Sequence, residues 1–349
     1  MNPEMLAAAR EARGLTQSQL ADRSGVPQGT LSKAEHGLGT LSPERLTAVA
    51  DALGFPLDVF GWDEEVHGFG SSAFYHRKQK SLPQTRLREI QATFNLTRMR
   101  AKRLAQGLEI ESKHRFQPLD LDDFGSPEEA ARAVRAMWAV PMGPVRDVCR
   151  LIENAGGVVI RADFATPKIS AISQWLTGER PVFVTNTSNS PDRERFTLAH
   201  EIAHVLLHSA PNENQEAEAD QFASEFLMPA AEIGPQLSAG IDLARAAQLK
   251  PYWRVSMRAL IRRAKTLGHI NDSRYKSLNV QMSQRGWTRR EPVDIEADRP
   301  RFLDEVIQVQ LASGYTVDQL AKVAGLNVEE FIRLYLPDAP VRRLSAVRP

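Results

Sequence analysis

Two histidines four residues apart, with a glutamate beside the first, have the types and spacing to hold a divalent metal: His200-Glu201-Ile202-Ala203-His204. Residues four apart on a helix lie one above the other, so the imidazoles of His200 and His204 can grip one zinc ion at roughly 2.0 to 2.1 Å. Glu201, one step round the helix, faces the coordination position left open. There it can take a proton from water and pass it to a leaving amine. Catalytic zinc needs three protein ligands, and His208 is excluded as the third: eight residues at a 1.5 Å rise put it about 12 Å from His200. The next helix, Asn214 to Pro229, supplies a better candidate in Glu216. Asp220, one turn further on, can receive the second ring N–H of a ligating histidine. Glu213 and Glu218 are rivals, but Glu213 precedes the helix and Glu218 projects with Phe222 and Phe226 on another face.

The elements around these residues are legible from caps and periodicity. Ser190-Pro191-Asp192 opens a helix that is apolar almost all round beyond its first turn, which predicts a buried helix with a few polar intrusions. Before it the period changes. Gly157 to Ile160, Ile169 to Ser173 and Pro181 to Asn186 are short, β-branched and bounded by Gly, Pro and Asn, and so read as strands of a small sheet. A sheet placed there can set an edge strand along the cleft, where a substrate peptide can pair with it. Ser126-Pro127-Glu128-Glu129 opens a further helix, and another spans Pro144 to Asn154. The helix pair from Ile241 to Leu249 and Val255 to Leu267, carrying Arg254, Arg258, Arg262 and Arg263, continues the same domain.

The first sixty residues have a different grammar. Met5 to Arg13 reads as a helix ending at Gly14. Thr16, with Gln19 three residues on, makes a capping box for a second that stops at Gly25. A third runs from Gln28 to His36, Ser42-Pro43-Glu44 opens a fourth that lasts to Leu53, and Phe55 to Phe60 adds a short fifth. Two helices joined by a tight Gly-containing turn make the frame of a helix-turn-helix DNA reader. Leu20, Ala21, Val26 and Leu31 lock the pair, while Gln17, Gln28, Thr30, Ser32 and Lys33 sit where they can reach phosphates or base edges. Over Met5 to Phe60 the chain resembles the XRE, or phage-repressor-like, helix-turn-helix family, through Gly14-Leu15-Thr16-Gln17-Ser18-Gln19-Leu20-Ala21 and Leu31-Ser32-Lys33-Ala34-Glu35-His36-Gly37.

Charge qualifies that reading. Residues 1–60 carry five Lys or Arg against seven Asp or Glu, a poor footprint for phosphate, so affinity must come from dimerisation or from a basic stretch further along the chain. Beyond an aperiodic linker, Trp62 to Ser72, the stretch 77–115 holds eleven basic residues against three acidic ones. It offers either phosphate contacts or a solvated helix face. After Pro300 a weak repeat appears: Gly314, Thr316, Gln319, Leu320, Ala321 and Gly325 match Gly14, Thr16, Gln19, Leu20, Ala21 and Gly25. Glu329 and Glu330 stand where the first copy has Gly29 and Thr30. Two acids at the start of a reading helix repel phosphate, so this copy reads as a packing or partner-binding unit.

Over Pro144 to Pro229 the chain resembles the ImmA/IrrE metallopeptidases. The resemblance rests on Arg195 to His204 and on Glu216-Ala217-Glu218-Ala219-Asp220-Gln221-Phe222-Ala223 followed by Phe226-Leu227-Met228-Pro229. It implies a thermolysin-like minimal fold, zinc held by two His and one Glu, Glu201 as general base, and helix-turn-helix repressors as substrates.

The 349 residues suggest two or three domains, and no apolar run nears the roughly 20 residues of a membrane span. The start lacks a secretory pattern, and the one cysteine, Cys149, sits in a core-like helix, so a cytoplasmic protein is expected. The expected fold class is α+β and mostly helical. Its parts are a five-helix DNA-binding domain (1–61), a basic linker with helices (62–125), a metallopeptidase domain (126–270) and a helical C-terminal region (271–349). The expected function is a regulator that binds operator DNA as a homodimer and uses Zn2+ to cleave a repressor or itself. Two readings compete with it: a transcription factor whose peptidase fold is a silent ligand or dimer module, and a protease whose helix-turn-helix recognises a protein.

Overall fold

The computed structural model describes residues 1–68, 82–210 and 212–337, and they fall into two units. One comprises Met1–Gly68, Leu82–Glu109 and residues 302–337; the other is Ile110–Arg301. Residues 77–81 of the basic stretch lie outside the described residues. The described residues are mostly helical with one three-stranded sheet, as the periodicities predict. No described helix is long and apolar enough to cross a membrane.

In the first unit, helices α1 (Pro3–Ala12), α2 (Gln17–Ser24), α3 (Gln28–Glu35) and α4 (Pro43–Leu53) fall where the caps place them. The Thr16 hydroxyl accepts from the Gln19 N–H, and the Gln19 side chain answers to the Thr16 N–H. Gly25 ends α2 at φ +70°, a conformation that disfavours any residue with a Cβ. The short fifth helix is a 3-10 turn, Leu57–Gly61. Leu6, Leu20, Val26, Leu31, Val49 and Phe60 form the core, joined by Leu96 and Met99 of the long helix α5 (Gln84–Ala105).

Helix α5 turns some of its arginines inward, although Arg88 is exposed. Arg98 and Arg100 are buried, and Arg100 donates to the Ala324 carbonyl and lies over the Phe55 ring. Burial pushes the Arg100 pKa down. Arg103 pairs with Glu64 at 2.6 Å and stacks on Trp62. Much of this helix's charge is spent inside the unit.

In Ile110–Arg301, the helices α6 (Pro127–Met137) and α7 (Val148–Asn154) precede strands β1 (Val158–Ala162), β2 (Ala171–Gln174) and β3 (Val182–Asn186). The strand order is β1-β3-β2, with β1 parallel to β3 (Val158 opposite Val182) and β2 antiparallel to it (Ile172 opposite Val184). Next come α8 (Pro191–Leu207), α9 (Gln215–Leu227), α10 (Ala230–Ser238), α11 (Leu243–Trp253), α12 (Met257–Thr266) and α13 (Asp272–Gln284). Ala199, Ala203, Ala219 and Ala223 are all fully buried, which lets α8 and α9 approach closely. Phe183, Leu198, Ile202, Phe222, Phe226 and Trp253 fill the core around them, and Cys149 is buried there, its thiol pKa pushed up by burial.

The C-terminal part of the first unit consists of α14 (Phe302–Ala312), α15 (Val317–Val323) and α16 (Val328–Tyr335). The repeat visible in the sequence is structural. Thr316 and Gln319 form the same reciprocal capping box as Thr16 and Gln19. Gly325 has φ +61°, and a Cβ at that position would run into Val59 and the Trp62 ring. Glu330, which stands where the first copy has Thr30, takes two hydrogen bonds from the Arg13 guanidinium at 3.1 and 3.0 Å. Burial opposes its charge, yet Arg13 holds its carboxyl below the usual range.

Candidate metal centre

Helix α8 begins with Pro191 in its first turn, where the missing N–H costs nothing, and runs inward as its sequence becomes apolar. Its polar residues are therefore carried into the core. Glu201 and His204 are buried and His200 is half-buried. The two rings turn their Nε2 atoms toward each other at 3.0 Å. Glu216, in the first turn of α9, brings Oε1 to 3.3 Å from His204 Nε2 and Oε2 to 3.9 Å from His200 Nε2. One donor atom from each of the three lies within 4.8 Å of the others. Glu213 is exposed, and Glu218 turns to His208.

The chemistry of this donor set fits a cation. Asp220 Oδ1 lies 3.0 Å from His200 Nδ1, and a carboxylate only accepts, so the ring proton sits on Nδ1 and Nε2 carries a bare lone pair. Glu216 Oε1 is buried and receives no well-directed hydrogen bond, although His204 Nε2 is near. Unshared lone pairs thus converge on one point, an arrangement that a positive charge at that point relieves. The titration tendencies agree. Burial disfavours charge on all three groups. The Asp220 hydrogen bond nevertheless raises the His200 pKa, and the histidines hold Glu216 and Asp220 below their ordinary values.

Glu201 is held from the sheet side. Ser173 Oγ, on strand β2, donates to Glu201 Oε2 at 2.5 Å, leaving Oε1 for other work. Strand β2 is an edge of the sheet, the position at which a further strand can be added. The site opens into a cleft of about 820 Å³ that His200, Glu201 and Glu216 line together with Ala171. Arg258 and Trp287 stand among its walls. In the lining of the same cleft, Lys250 Nζ bridges Asp192 at 2.6 Å and Glu291 at 2.7 Å. Arg195, fully buried, donates to the Val145 and Arg254 carbonyls and pairs with Asp298.

The residues expected to meet DNA lie in the first unit, on α2 and α3. Gln28 Nε2 donates to Gln17 Oε1 at 2.9 Å, and Gln17 Nε2 donates to Glu35, which Arg10 also holds. The first residues of the two helices are thereby tied together. Thr30 and Ser32 are half-buried on α3 and Lys33 is exposed.

Comparison with known families agrees with both halves. A helix-turn-helix family model matches residues 6–60, and the model of the IrrE N-terminal-like domain, a peptidase family, matches residues 152–265. The chain joins an XRE-type helix-turn-helix domain to an IrrE-like metallopeptidase domain. No curated protein matches it. His200, Glu201, His204, Glu216 and Asp220 all fall within the IrrE-like match, whereas Trp287, Glu291 and Asp298 lie beyond its end.

Three partners of the IrrE-like site escape a reading by motif. Ser173 is one residue of a plain strand pattern. His208 is too far from His200 to ligate, and Glu218 is on the wrong face of α9 to do so. His208 Nδ1 instead lies 2.9 Å behind His204 Nδ1, and its Nε2 is 3.0 Å from Glu218 Oε2. Burial and the neighbouring His204 push the His208 pKa down to about 4.

Proposed function

We propose that this protein is a transcriptional regulator that binds operator DNA as a homodimer and carries a zinc endopeptidase for proteolytic switching. The observation that carries the reading is the convergence of His200, His204 and Glu216 beside Glu201 in a chain that also holds a helix-turn-helix domain. Residues 126–270 are the working peptidase and 1–61 the DNA reader, acting in the cytoplasm where operator DNA is found.

His200 and His204, through Nε2, and Glu216, through its carboxylate, would hold the ion. Zinc bound there supplies a Lewis acid that polarises the scissile carbonyl and makes water a nucleophile near neutral pH. Glu201 takes the proton of the attacking water on its carboxylate and passes it to the leaving amine nitrogen. Ser173 fixes the carboxylate while it does so. The edge of β2 binds the substrate backbone as an added strand, which selects an extended polypeptide and holds its scissile bond over the site. Gln28, Thr30, Ser32 and Lys33 on α3, with Gln17 on α2, meet the operator. The substrate is a helix-turn-helix repressor or a second copy of this chain.

The test measures zinc content, operator binding and repressor cleavage for the wild type and Glu201→Gln. Cleavage should disappear in the variant while zinc and DNA binding persist. Absence of cleavage by the wild type under every inducing condition sinks the protease reading, and absence of sequence-specific DNA binding sinks the regulator reading.

A further inference from the structure

A histidine that ligates metal almost always donates its other ring N–H to a partner that holds it, and the two ligand candidates here are held differently. His200 has Asp220, a half-buried carboxylate that also lies 3.6 Å from the exposed Arg262. His204 has no carboxylate beside its Nδ1. It has His208, buried and within hydrogen-bonding distance at 2.9 Å, and behind His208 stands Glu218 at 3.0 Å. Asn212 Nδ2 donates to the same Glu218 oxygen at 3.2 Å and steadies it.

The hydrogen positions along this line are set by its far end. A carboxylate can only accept, so His208 Nε2 carries the proton that Glu218 receives. In a neutral imidazole the other nitrogen then has no proton, so His208 Nδ1 is an acceptor. The group facing it, His204 Nδ1, must donate. That choice removes the proton from His204 Nε2 and leaves a lone pair directed at His200 Nε2 and Glu216. The tautomer needed for ligation is thus imposed from two residues away.

We propose that Glu218 and His208 form a positioning relay that fixes the ring and tautomer of His204, so that zinc affinity depends on two residues that do not touch the ion. The inference rests on the zinc-site reading above, and on the line of contacts Glu218, His208, His204 alone. Neither residue is a catalytic residue. The relay also explains why three acids within one stretch of α9 have separate tasks: Glu216 faces the ion position, Asp220 holds His200 and Glu218 holds His208.

The experiment uses the full chain and zinc itself as the probe, in competition with a chromophoric chelator of known affinity. His208→Leu removes both bonds of the relay and should weaken zinc binding by about 10- to 100-fold, the range for losing a group that orients a ligand. Glu218→Ala should weaken it in the same sense. His208→Gln is the rescue: its amide oxygen can accept from His204 and its NH2 can donate to Glu218, so affinity should return to within a few-fold of wild type. Visible spectra of the Co2+-loaded proteins read the ligand field, which should change for Leu and be restored for Gln. The thermal midpoints of the metal-free proteins, compared in parallel, separate a damaged fold from a loosened ligand.

Unchanged zinc affinity in His208→Leu overturns the relay, and so does a Gln variant as weak as Leu at equal metal-free stability. A wild type that takes up no zinc overturns the relay together with the metal reading. A wild type that binds zinc and cleaves nothing sinks only the protease, and the relay is still judged by the affinities.

Discussion

The side chains that seat α9 make the sharpest prediction, because Glu216 and Asp220 ride on that helix. Arg263 of α12 and Glu225 near the end of α9 face each other with each side chain 2% exposed. Arg263 also donates to the Met228 carbonyl at 3.0 Å, closing the C-terminus of α9. Arg263→Met keeps the aliphatic volume and removes the charge. Losing one partner of a buried ion pair costs about 3 to 5 kcal/mol, since the other charge stays desolvated. Here Arg132, half exposed at 3.0 Å, and the Ala230 N–H at 3.3 Å still reach Glu225, which argues for the lower end, about 3 kcal/mol. In a unit of about 190 residues that loss lowers the melting midpoint by roughly 6 to 12 °C. The assay is thermal and urea unfolding followed by tryptophan emission. Four of the five tryptophans, Trp138, Trp175, Trp253 and Trp287, lie in the peptidase unit and report on it. The double change Arg263→Met with Glu225→Leu removes both charges and should recover about 2 kcal/mol of the loss. A single variant that loses less than about 1 kcal/mol, or a double variant as unstable as the sum of the two singles, refutes the argument.

Two further changes test other parts of the molecule. Gly325→Ala places a methyl 2.5 Å from Val59 and 2.6 Å from the Trp62 ring at a left-handed position, so the helix-turn-helix unit should lose about 3 kcal/mol and operator affinity should fall with it. Wild-type stability in that unit after the change would show that the C-terminal helices are not seated as described. Lys250 carries a pH signature. Burial favours neutral forms in its cluster, yet hydrogen bonds to Lys250 and Ser190 lower the Asp192 pKa, and those to Asp192 and Glu291 raise that of Lys250. Asp192 therefore contributes stability above the ordinary carboxylate value of about 3.9 that is lost as the pH falls below it. Lys250 contributes below about 10.4, and its share is lost as the pH climbs through its raised value. Between those limits the contribution of this cluster to the melting midpoint should be flat. Lys250→Met leaves two buried carboxylates without a cation, so its midpoint should be depressed at pH 7 and recover on acidification toward pH 5. Parallel profiles for the two proteins would contradict this assignment of charge.

What the sequence makes legible depends on how far apart the cooperating residues lie. A capping box needs only Thr16 and Gln19, or Thr316 and Gln319, so both copies can be read directly, and the repeat with them. The spacing of His200 and His204 is likewise a property of one helix. The basic character of α5 is visible as a count, but its meaning is not. Arg100 is satisfied by Ala324, a residue 224 positions away, and Arg103 by Glu64 across the linker. A charge total cannot distinguish an arginine that waits for phosphate from one already enclosed by its own chain. The same holds for Glu330, which by type is an acid that repels DNA and in the fold is the partner of Arg13.

Ser173 and His208 show the limit most clearly, because each is plain in the sequence and carries no task there. Strand alternation says which residues share a face, but which strand lies at the edge beside α8 is decided by the order β1-β3-β2, a tertiary fact. Helix geometry rules His208 out as a ligand by its rise along α8, and that reasoning still places it one turn beyond His204. Only the packing of α9 against α8, through alanines on both, brings Glu218 to the far side of that ring. Glu216 and Glu218 are two residues apart and so face different ways, which allows one short helical stretch to serve the ion position and the back of a ligand together. Spacing in sequence therefore points to the groups that could hold an ion, whereas the groups behind them belong to the interface between helices.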